Sequence, residues 1–93
     1  MIGCLMIHGY TGSPYEISPL ANHLEDRTNW KIEVPTLPGH GKNLDLRDVS
    51  HESWIETAEK ELQQLMQNCD EIYLIGFSMG GMIASYLAAK YEV

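Results

Sequence analysis

The sequence predicts an α/β fold, a three-layer sandwich in which helices cover both faces of a parallel sheet. Three observations carry that prediction. Short apolar runs at 2–7, 31–34 and 72–75 alternate with longer segments of helical periodicity, in the order strand, helix, strand, helix, strand, helix. The first run, Ile-Gly-Cys-Leu-Met-Ile, is apolar nearly throughout, as a strand buried on both faces must be. Glycine-rich turns follow the first and third runs, so both turns leave the carboxyl ends of strands, where parallel sheets place their ligands.

The first strand gives way to His8-Gly9-Tyr10-Thr11-Gly12, a loop, and then to a helix with two start signals. Ser13 and Glu16 have capping-box spacing, and Pro14 stands at the first helical position, where its missing N–H costs nothing. Ile17, Leu20, Ala21 and Leu24 form one apolar face. Pro19 lies inside that pattern, so a kink or restart is expected near Ser18. The second strand, 31–34, is closed by Pro35 and Pro38. A loop over 36–48 follows, long enough to be functional. The second helix starts near Ser50 or Ser53, each a suitable cap, and carries Trp54, Ala58, Leu62 and Leu65 along one stripe. The turn 68–71 leads into the third strand, and the last helix runs from Met79 to about Tyr91.

The chain has 93 residues, enough for at most one small domain; 44% of them are hydrophobic and 20% charged, as in an ordinary globular chain. A net charge of −7 argues against nucleic acid and anionic membrane surfaces as partners. No apolar run has the length of a membrane span, and no leader peptide is evident, so the cytoplasm is the default compartment. Cys4 reads as a buried thiol and Cys69 as a turn residue; neither spacing suits a disulfide framework or a metal.

The chemistry concentrates at Gly76-Phe77-Ser78-Met79-Gly80. A serine at the apex of a sharp strand-to-helix turn stands clear of the sheet, and the glycines two before and two after it give the helix and neighbouring strand room. The following helix aims free N–H groups at the same point. In this reading Ser78 is a nucleophile, Met79 supplies one backbone donor for an oxyanion, and Tyr10 supplies the second, brought close by Gly9. The plainer reading is a glycine-rich turn whose serine caps the helix, with a simple turn at His8-Gly9. His8 is read as structural under either.

Three segments in order, L-M-I-H-G-Y-T-G-S-P, V-P-T-L-P-G-H-G and Y-L-I-G-F-S-M-G-G, resemble the α/β-hydrolase superfamily, and within it the bacterial carboxylesterase and monoacylglycerol-lipase group. The resemblance implies an acyl-enzyme at Ser78, an oxyanion hole at Tyr10 and Met79, small acyl esters as substrates, and no metal or organic cofactor. It implies that the first strand lies between the second and third, and that the His40 loop shapes the substrate cleft without catalysing. Relatives of this kind carry their acid and histidine after the serine. Here all four histidines, His8, His23, His40 and His51, precede Ser78, and Glu92 is the acid that follows it. His23 reads as a solvated helix residue and His51 as a helix-start residue, and His40 is a poor substitute base. The chain is therefore expected to be the N-terminal portion of such a domain, 1–93, lacking later strands and cap. Alone it should be catalytically incomplete, with exposed sheet edges open to self-association or to a partner chain. The alternative is a non-catalytic remnant or split-enzyme fragment that serves as a folding or partner-binding unit.

Overall fold

Alternation along the first strand organises the whole molecule. In β1 (Ile2–Ile7), Leu5 and Ile7 point to one face and Cys4 and Met6 to the other, and all four are fully buried. The computed structural model describes residues 1–41 and 44–93, so the part of the 36–48 loop at Lys42 and Asn43 lies outside the described residues. The other elements are α1 (Pro14–Arg27), β2 (Lys31–Glu33), α2 (His51–Asn68), β3 (Glu71–Gly76) and α3 (Met79–Tyr91). β1 pairs in parallel with both other strands, giving the expected order β2-β1-β3.

The two faces of β1 seed two cores. Leu5 and Ile7 pack with Trp54, Ala58, Leu62 and Leu65 of α2 and with Ile83, Ala84 and Leu87 of α3. Cys4 and Met6 pack with Ile17 and Ala21 of α1. Two helices on one face and one on the other make the three layers. Each fully buried aliphatic side chain contributes about 1.5–3 kcal/mol, and the α2/α3 side holds most of them.

The local expectations fare unevenly. Ser13 caps α1 in a full capping box with Glu16, and Pro14 opens the helix. Pro19 causes no restart: α1 is continuous from Pro14 to Arg27. Proline at 19 removes the N–H that would bond the Tyr15 carbonyl, but the Ser18 hydroxyl donates to that carbonyl at 2.8 Å instead. α2 starts at the earlier of its two candidate caps, Ser50, whose Oγ accepts the Ser53 N–H at 3.3 Å. Val34 falls outside β2, which ends at Glu33, the last residue paired with β1. β3 gains Glu71 and Gly76, which pair with Ile2 and Ile7. Among the described residues no helix is long and apolar enough to cross a membrane.

Candidate active site

Ser78 has φ 54° and ψ −116°, a left-handed backbone that costs a residue with a side chain on the order of 1–3 kcal/mol. The surroundings hold it there. Phe77 N–H bonds to Ile7 O at 3.0 Å, fixing the end of β3 to the end of β1, and Gly80 N–H bonds back to Phe77 O at 2.8 Å. The flanking glycines are sterically required. A Cβ on Gly76 would collide with the Gly80 backbone, and one on Gly80 with the carbonyls of Ile7 and His8. The strand, the turn and the first turn of α3 thus interlock through main chain alone.

The serine is exposed and does not cap α3 with its side chain. The plainer reading, a serine placed to satisfy the helix end, therefore lacks its hydrogen bond. The loop after β1 meets the elbow as expected: a Cβ built on Gly9 would lie 3.5 Å from Ser78 Cβ and 3.1 Å from Phe77 O. Among the described residues, no main-chain carbonyl accepts the N–H of Tyr10 or of Met79. Each lies just past the carboxyl end of a strand, Tyr10 after β1 and Met79 after β3. Ser78 also stands at the N-terminus of a 13-residue helix, whose partial positive charge favours an anion there.

The loop itself is a turn closed by Gly12 N–H to Gly9 O at 3.0 Å, with Thr11 at φ 63°. Its anchors are two buried histidines. His8 Nδ1 donates to Gly9 O at 2.9 Å, and its Nε2 accepts the Leu37 N–H at 3.1 Å. His40 Nδ1 donates to Pro38 O at 3.1 Å, and its Nε2 accepts the Thr11 N–H at 2.9 Å. Burial pushes the His8 imidazolium pKa down, against a smaller opposing pull from the Gly9 carbonyl, and nearby His40 pushes the same way as burial. With both nitrogens of each ring engaged by main chain, neither histidine can serve Ser78 as a base. Trp54 Nε1 donates to Pro38 O at 2.9 Å, so α2 is tied into the same cluster.

Sequence reasoning treated Trp54 only as a core residue and did not find these cross-ties. Their signal was present in the His-Gly pair at 8–9 and the Gly-His-Gly at 39–41, but periodicity is blind to ring nitrogens. The remaining histidines lie where expected. His23 is exposed on α1 beside Arg27, and His51 is exposed at the first position of α2. Glu92 caps the far end of α3, roughly 20 Å from the elbow by helix rise. An apolar groove of about 340 Å³ runs between α2 and α3 past Trp54, Met79, Met82 and Tyr86; Ser78 does not line it.

The profile of the alpha/beta hydrolase fold matches residues 5–92, nearly the whole chain. The chain belongs to the α/β-hydrolase fold family. Among curated relatives of this α/β-hydrolase segment is the thermostable monoacylglycerol lipase of Bacillus sp. (strain H-257), 34% identical over 91 residues, covering 97% of this chain and 36% of the lipase. The pimeloyl-[acyl-carrier protein] methyl ester esterase of Aromatoleum aromaticum is 29% identical over 87 residues, covering 94% of this chain and 31% of the esterase. A 2-succinyl-6-hydroxy-2,4-cyclohexadiene-1-carboxylate synthase of Pectobacterium atrosepticum is 31% identical over 85 residues, covering 90% and 31%. A solved structure from work on the metagenome-derived lipolytic enzymes LipS and LipT superposes with TM-score 0.90 at 28% identity, covering 98% of this chain and 37% of that one. The chain thus spans about a third of the length of the relatives it matches.

Proposed function

We propose that this α/β-hydrolase segment carries the nucleophile and oxyanion hole of a serine hydrolase acting on small carboxylic esters. Ser78 Oγ attacks the ester carbonyl and gives its proton to a base supplied from elsewhere, while the Tyr10 and Met79 amides receive the developing oxyanion. Collapse of that adduct breaks the ester C–O bond and expels the alcohol, which takes the proton back, and water then hydrolyses the acyl-enzyme to the free acid. The observation that carries the reading is the strained, exposed, uncapped Ser78 held against Gly9 of the neighbouring loop. The monoacylglycerol-lipase and methyl-ester-esterase relatives support the substrate class. The synthase relative shows that the matched region also occurs in a protein named for a different reaction, which is why the reading needs a chemical test.

Residues 1–93 are read as one partial domain whose acid and histidine come from elsewhere, because His8 and His40 are committed to the main chain. The free thiols Cys4 and Cys69 suit a reducing compartment such as the cytoplasm. The outer edges of β2 and β3, unpaired among the described residues, are where a second copy or a partner chain would add.

A fluorophosphonate probe with peptide mapping tests the nucleophile. The expected result is slow, stoichiometric modification of Ser78, absent in Ser78→Ala, with little turnover of a short-chain aryl ester. Modification spread over other serines would sink the nucleophile reading. Brisk turnover abolished by Ser78→Ala would show instead that the chain carries its own acid–base partners. The alternative, a non-catalytic folding or partner-binding unit, gains if Ser78 stays unmodified while the chain forms a defined complex.

A further inference from the structure

The loops at 8–12 and 36–41 are joined by a symmetric exchange. The histidine on each loop accepts a main-chain N–H from the other: His8 Nε2 from Leu37, and His40 Nε2 from Thr11. Each ring spends its other nitrogen on a carbonyl of its own loop, Gly9 for His8 and Pro38 for His40. The ring centroids are 5.0 Å apart, and both rings are buried. Thr11 is the residue that needs holding. A β-branched side chain at φ 63° is strained, and such strain persists only where neighbours over-determine the backbone.

We propose that His8 and His40 form a reciprocal imidazole tie, and that His40 is a positioning residue that sets the Tyr10 amide by gripping the next amide along, Thr11 N–H. The proposal rests on the hydrolase reading for its purpose, but not for its geometry. The tie works only with neutral rings, because a proton on either Nε2 replaces an acceptor with a donor facing a donor. Among the described residues, the other groups around the rings are few. Tyr10 on the loop and Trp54 on α2 pack edge-on to His40, and the Glu16 carboxylate of α1 favours the cation at His8. Glu16 is already engaged by the Ser13 N–H at 3.3 Å.

Both rings are thereby held as the Nδ1–H tautomer, the less common form of free histidine, which gives a signature that needs no mutation. In imidazole ¹⁵N spectra of the chain above neutral pH, His8 and His40 should show protonated Nδ1 and unprotonated Nε2. A Nε2–H tautomer at His40 overturns the tie. The second measurement is amide exchange at Thr11, expressed as protection relative to the unstructured rate. His40→Gln places an acceptor at the position of Nε2, so it should keep Thr11 protected. His40→Phe fills the space without an acceptor and should lose about tenfold in protection, as one hydrogen bond is worth. Equal protection in both variants overturns the proposal. Ser78 phosphonylation is followed in parallel and should slow in His40→Phe and recover in His40→Gln. Failure of Ser78 to react in the parent counts against the hydrolase reading alone, since tautomer and exchange report the tie directly.

Discussion

Ser78 sets two demands against each other, since the conformation that exposes its hydroxyl is one that serine disfavours. Replacing it with glycine, which adopts positive φ freely, is expected to raise stability by about 1 kcal/mol in denaturant titrations, whereas Ser78→Ala should give no such gain. A destabilised Ser78→Gly would mean that the strain is not there. Gly80 shows the opposite case: a Cβ would meet the carbonyls of Ile7 and His8, and neither can yield without pulling β1. Gly80→Ala is expected to cost about 3 kcal/mol, read from the same titration. His8 supplies a pH dependence. Its folded-state pKa lies below the ordinary 6.5, chiefly through burial, so the unfolded chain binds the proton first. Its contribution is fully present above pH 6.5 and is lost as pH falls through the depressed folded value. Stability that rose on acidification through this window in the parent, relative to His8→Gln, would contradict that sign.

At the scale of elements, local chemistry and packing divide the work. α1 is written almost completely in its own residues, from the Ser13–Glu16 box to the face at Ile17 and Ala21. Ser13→Ala is expected to cost about 1 kcal/mol in thermal or denaturant unfolding. A value near zero would show that tertiary contacts alone hold that helix start. Pro19 was misleading because its effect depends on a neighbour: the Ser18 hydroxyl serves the carbonyl that proline deprives. The start of α2 was ambiguous because both serines suit a cap; in the structure the Ser53 hydroxyl instead donates to Ser50 O at 2.6 Å. The strand ends followed pairing more than propensity, since Glu71 and Gly76 belong to β3 only through their partners on β1. Two helices share a face partly through a polar contact that no periodicity reveals. Tyr91 Oη donates to Glu59 at 2.5 Å, and Lys90 Nζ lies 2.7 Å from the same carboxylate.

For the molecule as a whole, the three layers and the meeting of the two glycine-rich turns were legible in the sequence, since each follows from apolar runs and their connections. The sheet order came only from the family resemblance, because periodicity does not say which strands are neighbours. The tie between the histidine loops was not legible, because it is made by ring nitrogens and main-chain amides far apart along the chain. The fold leaves much apolar surface open: Met82 is 75% exposed, and Tyr86, Tyr73 and Phe77 are each close to half exposed. With the outer edges of β2 and β3 also free among the described residues, the 93-residue chain is expected to self-associate at micromolar concentration. A monodisperse monomer with a cooperative melt, seen by light scattering and calorimetry, would show that these edges are protected.

The most direct measurement is a crystal structure of the chain phosphonylated at Ser78. The expected result places one phosphonyl oxygen within about 2.7–3.1 Å of both the Tyr10 and Met79 amide nitrogens, with Thr11 still bonded to His40. An adduct whose oxygens face solvent while those two amides point elsewhere would contradict the account.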